Sequence, residues 1–278
     1  ITVKLPDGTD LDAKHQVTVI VTDHKKAPQQ GKNVTVKGDL GQSAAGKTDK
    51  NGELTVPEVE QTKRHGVYIV GYTDGTFGPS RSMTRSEAAA IFARLLAEKN
   101  GDTISTAANT KFADIPAHAW YSGYVKYLSN NGITYGKNKT IFAPNDAITR
   151  AEFTTMAVRF FDVYGDGDAE IMEQFSGFND VSSGYWAAEY IKYAALHGWI
   201  NGYGDGSFHA DREINRAEVV TIVNRLLGRE ADEDYIADNL RKLNTFPDVT
   251  KRHWAYYAVM EAANAHTAVL GESESWSK

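Results

Sequence analysis

Three arginines stand out because each holds the same place in a recurring tetrapeptide. The copies read Thr84-Arg85-Ser86-Glu87, Thr149-Arg150-Ala151-Glu152 and Asn215-Arg216-Ala217-Glu218. Thr or Asn with Glu three residues later, ahead of an apolar run at helical spacing, is a capping box that opens a helix. Thr84, Thr149 and Asn215 are the caps, and Glu87, Glu152 and Glu218 their reciprocal partners. The arginine has no part in that device. At the first helical position a cation opposes the helix dipole. It sits beside N–H groups that attract anions, and its planar fork fits a carboxylate or phosphate in two-point contact. Two readings follow: three related anion-binding points, or three ties to carboxylates of the chain itself that hold repeat to repeat.

The boxes belong to a longer repeat. Arg85 to Arg150 is 65 residues and Arg150 to Arg216 is 66, a period that marks stacked supersecondary units. Phe112-Ala113-Asp114, Phe178-Asn179-Asp180 and Phe246-Pro247-Asp248 each precede a tryptophan, Trp120, Trp186 and Trp254, at the same step. A loop, Gly71-Tyr72-Thr73-Asp74-Gly75-Thr76-Phe77, is matched by Gly202-Tyr203-Gly204-Asp205-Gly206-Ser207-Phe208; Asp74-Gly75 and Asp205-Gly206 are turn formers. The middle copy, Tyr135 to Phe142, lacks Asp-Gly.

To position these residues, each repeat must be helix, turn loop, helix. One helix follows Phe-x-Asp, with Tyr124, Val125 and Leu128 at helical spacing. Gly132 and Gly198 suit the left-handed position after such a helix. The second helix starts at the box. The series begins at its loop near His65 and ends after a Phe-x-Asp helix, Trp254 to Ala265, so it starts and stops in mid-repeat. A half-repeat leaves its apolar face unburied. The simplest repair is for 246–265 to pack beside the first loop and complete that unit. The expected fold is mainly α, a pseudo-threefold bundle of three helix–loop–helix repeats closed by the C-terminal helix.

Residues 1–62 read differently. Val17 to Val21, Val34-Thr35-Val36 and Leu54-Thr55-Val56 are β-branched runs divided by turn signals at Pro6-Asp7-Gly8, Gly31 to Asn33 and Asp49-Lys50-Asn51-Gly52. They predict a small β-sandwich spacer over 1–62, with the repeat region over 63–278 and a break at Lys63-Arg64-His65-Gly66. A short stretch, Gly46 to Pro57, resembles a strand–turn–strand of immunoglobulin-like or prealbumin-like surface modules.

The totals set limits on function. The 278 residues carry a net charge of −6 without a basic block, which argues against nucleic acid or an anionic membrane held by bulk charge. There is no apolar run of spanning length. The chain opens at Ile1, without Met or a signal peptide, and reads as a piece of a longer or processed protein. It contains no cysteine, so disulfides and thiolate metal sites are excluded. The eight histidines recur in no repeat-locked position. Tyr164 to Glu170 lacks calcium-loop spacing and reads as an acidic linker. No catalytic constellation, metal site or cofactor motif is signalled. Asp114, Asp180 and Asp248 read as caps or ties between repeats. On base rates, an aromatic such as each tryptophan belongs to the core.

The repeat resembles the S-layer homology family, whose pattern is Phe-x-Asp, Trp-Ala, Gly-Tyr-x-Asp-Gly-x-Phe-x-Pro and Thr-Arg-Ala-Glu in three copies. The resemblance covers residues 66–265 and is close at Trp186-Ala187, Trp254-Ala255, Pro79, Pro144 and Ile148 to Glu152. It departs at Tyr121, Ser86, Asn215 and the middle loop. It implies non-covalent anchoring of an extracellular, cell-surface protein to the bacterial cell wall, through acidic and often pyruvate-bearing polysaccharide bound in grooves between repeats. Carried over, it implies Arg85, Arg150 and Arg216 as carboxylate binders, Trp120, Trp186 and Trp254 as sugar-facing surfaces, and Asp74, Gly75, Asp205 and Gly206 as polar contacts. A monomer without cofactor is expected, and an enzyme is disfavoured because no catalytic constellation is signalled. The alternative is a structural or protein-interaction module of an adhesin or enzyme, with no glycan binding of its own.

Overall fold

A computed structural model describes residues 2–4, 17–23, 25–37, 43–56, 61–164, 175–270 and 275–277. The expected turn at Pro6-Asp7-Gly8 and the acidic linker beyond Tyr164 lie outside them. The described chain is mainly helical, with small sheets. In chain order the strands are β1 (Thr2–Lys4), β2 (Val17–Ile20), β3 (Asn33–Lys37), β4 (Ser43–Lys47), β5 (Glu53–Val56) and β6 (Gln61–His65). Helices α1 (Arg85–Asn100), α2 (Ser122–Asn130), α3 (Arg150–Tyr164), α4 (Ala188–Leu196), α5 (Arg216–Leu227), α6 (Glu233–Asn239) and α7 (Tyr256–Ala263) follow. Strands β7 (His266–Leu270) and β8 (Ser275–Ser277) close the list.

The chain divides into two compact units. The first joins 1–66 with 231–239 and 265–278. Its sheets run β1-β2-β5, β3-β4 and β6-β7-β8, all antiparallel. The β-branched runs pair as their pattern requires, Val17 against Val56 and Val19 against Leu54. At the turn before β5, Asp49 Oδ1 accepts from the N–H of Asn51 (2.8 Å) and Glu53 (2.9 Å). Gly52 there has φ +72°, and a Cβ would meet the Val21 carbonyl. One expectation is corrected. Lys63-Arg64-His65 does not break the β pattern but runs inside β6, paired with Ala268, Thr267 and His266. Residue 62 therefore lies within a strand, and the tail after α7 belongs to the same sheet.

The second unit joins 67–230 with 240–264. Each box helix packs on the Phe-x-Asp helix that follows it in this unit: α1 on α2, α3 on α4, α5 on α7. Phe77, Phe92, Phe112, Phe142, Phe153, Phe160 and Phe208 form the core. Each loop phenylalanine meets a Phe-x-Asp phenylalanine: Phe142 on Phe112 (5.5 Å between centroids), Phe208 on Phe178 (5.2 Å) and Phe77 on Phe246 (5.3 Å). The aspartate two residues on accepts the backbone N–H of that loop phenylalanine: Asp114 from Phe142, Asp180 from Phe208, Asp248 from Phe77. The residues before the caps hydrogen-bond in a cycle. Met83 N–H donates to Ile214 O (3.0 Å), Ile214 N–H to Ile148 O (3.0 Å) and Ile148 N–H to Met83 O (2.9 Å). All three side chains are fully buried. Gly132 and Gly198 have the expected positive φ, 73° and 67°. Helix α7 begins at Tyr256, so Trp254 stands in the turn ahead of it, not in the helix.

Candidate functional site

Each box forms as its sequence requires. Thr84 Oγ1 accepts from Glu87 N–H (3.2 Å) while Glu87 Oε2 accepts from Thr84 N–H (2.9 Å). The second box has both bonds at 3.2 Å, and Asn215 with Glu218 has them at 2.9 and 3.0 Å.

The arginines turn away from their own helices. Each donates from Nε to the carbonyl of a loop phenylalanine in another repeat: Arg85 to Phe142 (2.8 Å), Arg150 to Phe208 (2.9 Å) and Arg216 to Phe77 (2.8 Å). All three guanidinium groups also lie over those rings, at 5.0, 4.5 and 4.6 Å. Arg85 Nη1 pairs with Glu152 at 3.2 Å, and Arg150 Nη1 with Glu218 at 3.1 Å. Arg216 Nη2 instead donates to Val70 O (2.7 Å) and feels Glu87 as a favourable charge. Each of the three is 4% exposed. Burial lowers the pKa of Arg150 and Arg216, and neighbouring tyrosine and glutamate oppose that. These contacts tie repeat to repeat.

The N–H groups expected to attract anions are also engaged. Arg85 and Ser86 N–H donate to Asp146 O and Pro144 O. Arg150 and Ala151 N–H donate to Arg212 O and Ala210 O, and Arg216 and Ala217 N–H to Arg81 O and Pro79 O. With the third N–H taken by the cap, these helix starts are satisfied by the chain. This corrects the reading of free N–H groups beside each arginine; the acceptors lie in loops too distant in sequence to be foreseen.

A cavity of about 270 Å³ opens beside Arg150. Its wall includes Asn201, Tyr203, Glu218, Arg225 and Trp254. Glu218, Thr221, Ile222 and Arg225 line it from one face of α5, at the spacing of adjacent helical turns. Glu218 Oε1 accepts from Tyr203 (2.8 Å) and Arg150, and pairs with Arg212. Burial and that bond to Glu218 raise the Tyr203 hydroxyl pKa.

Of the residues singled out by sequence, this cavity brings together Arg150, Glu218 and Trp254. The tryptophans are not core: Trp120, Trp186 and Trp254 are 52%, 57% and 66% exposed. The buried tryptophans are the unrepeated Trp199 and Trp276. Asp74 and Asp205 are exposed and spend Oδ1 on their own turns, accepting from Thr76 N–H and Ser207 N–H at 2.9 Å each. The Thr76 and Ser207 hydroxyls, which donate to the same Oδ1 atoms, and then those N–H groups hold both carboxyls below the usual aspartate range. Gly75 and Gly206, at φ 84° and 82°, allow the turns. In the middle loop Lys137 takes the place of Tyr72 and Tyr203, and its Nζ meets Glu152 at 2.8 Å.

Sequence reading missed a second arginine in each box helix. Arg94, Arg159 and Arg225 each lie nine residues after the box arginine, and the same repeat step would have found them.

The S-layer homology domain model matches residues 55–89, 111–154 and 177–220. The chain carries three S-layer homology repeats and belongs to that family. It is 34% identical over 218 residues to the "Cell surface glycoprotein 1" of Acetivibrio thermocellus, an alignment covering 76% of this chain and 9% of that protein. It is 30% identical over 233 residues to the "Cellulosome-anchoring protein" of the same organism, covering 83% of this chain and 49% of that protein. The "Surface-layer 125 kDa protein" of Lysinibacillus sphaericus is 31% identical over 163 residues, covering 57% of this chain and 13% of that protein. The chain thus spans about half or less of the length of these relatives.

Proposed function

We propose that this chain is a non-catalytic anchor that holds a protein to the bacterial cell wall by binding an acidic, pyruvate-bearing wall polysaccharide in grooves between repeats. The protein is extracellular and associated with the cell wall. Among the described residues no helix is long and apolar enough to cross a membrane. Relatives named for the cell surface, the surface layer and cellulosome anchoring support the anchoring role.

The observation that carries the glycan reading is the cavity that joins an arginine at its wall, a tyrosine and an exposed tryptophan. A carboxylated sugar needs a cation with two-point geometry and an aromatic face. In this reading the groove walled by Arg150 takes the carboxylate and Trp254 meets the sugar, with Arg85 and Trp186, and Arg216 and Trp120, in the related grooves. Asp74-Gly75 and Asp205-Gly206 shape the loops at the groove edges. The chain acts as a monomer and needs no metal or cofactor.

The repeat region, 63–278 by sequence and 67–230 with 240–264 as the compact helical unit, is read as a pseudo-threefold bundle in which 246–265 completes the first repeat, with 1–62 as a sandwich-like spacer. The cyclic hydrogen bonds of Met83, Ile148 and Ile214 and the pairing of Phe246 with Phe77 support closure.

The second reading, a protein-interaction module without glycan affinity, is favoured by the internal partners of the box arginines. Co-sedimentation with purified wall fragments decides between them. The anchor pellets with intact fragments and stays in solution once the polysaccharide is stripped from the peptidoglycan. Pelleting with both would sink the glycan reading.

A further inference from the structure

We propose that Arg225, not a box arginine, makes the outer contact with the anionic substituent, and that the groove of Arg150, Arg225 and Trp254 is the open one because Ala258 stands where the other repeats place a tyrosine. This rests on the glycan reading and names the residue and groove that serve it.

The box helices carry corresponding stripes. Glu87, Ala90, Ile91 and Arg94 on α1 match Glu152, Thr155, Met156 and Arg159 on α3, and Glu218, Thr221, Ile222 and Arg225 on α5. On α5 that stripe is the cavity wall. Arg150 is 4% exposed and its fork is held by Phe208 O, Glu218 and Asn201 O. Arg225 is exposed. With the Asn201 amide turned to satisfy both neighbours, its Oδ1 accepts from Arg225 Nη1 at 3.2 Å. An incoming carboxylate can replace one amide contact far more readily than a buried carboxylate pair.

The other two second arginines are stacked on tyrosine, Arg159 half-buried and Arg94 exposed. Arg159 lies over the rings of Tyr135 (4.8 Å) and Tyr190 (5.0 Å), and its Nε and Nη2 donate to the Tyr190 hydroxyl at 3.3 and 3.1 Å. Arg94 lies over Tyr124 at 5.0 Å. Tyr124 and Tyr190 each stand four residues after the repeat tryptophan; the same step from Trp254 reaches Ala258. The loop residue matching Tyr135 is Asn201. Two aromatic positions that clamp Arg159 are thus small or polar around Arg225. A stacked arginine has its face and part of its fork occupied by its own chain; Arg225 has no ring over its face among the described residues, and its fork gives one contact to Asn201.

The test titrates the full chain with a methyl hexoside bearing a 4,6-pyruvate ketal, and with the same glycoside lacking it. Wild type, Arg225→Ala, Arg225→Lys, Arg159→Ala and Ala258→Tyr are compared, with melting curves for each. Arg225→Ala is expected to weaken ketal binding about ten-fold or more, as when one partner of a charge pair is deleted, without moving the melting midpoint, because the side chain is exposed. Arg225→Lys should restore only part of the affinity, since lysine lacks the fork. Ala258→Tyr should weaken binding with melting intact, and Arg159→Ala should leave affinity within about two-fold of wild type. Arg225→Ala binding like wild type, or Arg159→Ala costing as much as Arg225→Ala, overturns the inference while the glycan reading stands. Wild type failing to distinguish the two glycosides overturns the reading itself.

Discussion

Asp248 accepts hydrogen bonds from the backbone N–H groups of Phe77 (2.9 Å) and Gly78 (2.7 Å), which precede it by 171 and 170 residues. Phe246 packs on Phe77 beside that contact, and the Gly71 backbone passes so close to the Phe246 ring that a Cβ would collide with it. Asp248→Ala leaves two donors without their acceptor. It is expected to destabilise the helical unit by about 1–3 kcal/mol. Deleting 246–278 should unfold the first loop and its helix along with the end of the chain. Thermal melting checks both, and an unchanged midpoint would remove the closing role of this segment.

Arg150→Ala should destabilise. It strips a donor from Phe208 O and a buried partner from Glu218. Breaking one side of such a pair costs roughly 2–4 kcal/mol, more than the relief of an unfavourable dipole contact returns. Equilibrium unfolding of the variant, and of Arg150→Ala with Glu218→Gln, measures the coupling. Additive losses would mean that the pair contributes nothing.

Acid should weaken the fold in a defined window. Burial would raise the Glu152 carboxyl pKa, but the Lys137 hydrogen bond and the Arg85 charge outweigh it and hold the pKa below the usual range. Burial likewise opposes, and the N–H groups of Phe208 and His209 outweigh it, at Asp180. A depressed folded pKa gives stability that is complete above the unfolded values, about 4.3 for Glu and 3.9 for Asp, and is lost as pH falls through the folded ones. Melting midpoints should be flat from neutral pH to about 5 and fall below about 4.5. Glu152→Gln should start lower at neutral pH and fall less steeply; an identical acid slope would exclude Glu152 as a contributor.

Trp254→Ala should separate binding from folding. The ring is 66% exposed beside the cavity. Its removal should leave melting unchanged and reduce glycan affinity by roughly 1–2 kcal/mol, the scale of one aromatic contact. Equal affinity of variant and wild type would take the tryptophan out of the site.

What the sequence disclosed was local or periodic. Thr84 with Glu87 is a contact across three residues, and the tryptophans and phenylalanines recur at a fixed step, so boxes and repeats could be read directly. The acceptors of the Arg85 and Arg150 N–H groups could not, because Asp146 and Arg212 lie about one repeat away. Strand β6 was missed because Lys63-Arg64-His65 carries no β pattern; its partner, His266–Leu270, comes two hundred residues later. Helix α6 was missed because Glu233–Asn239 is short and mostly polar. Arg225 was legible in principle, since it repeats with Arg94 and Arg159, but it lies in mid-helix, where arginine is an ordinary helix former and no capping device marks it. The tryptophans were weighed as core on base rates. The core is instead filled mainly by phenylalanines and aliphatic residues, and the rings of Trp120, Trp186 and Trp254 stand outside it.

The ligand of the proposed anchor is an acidic glycan. Calorimetric titration of the full chain with purified wall polysaccharide, before and after mild acid removes its pyruvate groups, tests it most directly. Saturable binding to the native polymer, lost or weakened at least about ten-fold after depyruvylation, is the predicted result. Equal affinity for the two forms would contradict it.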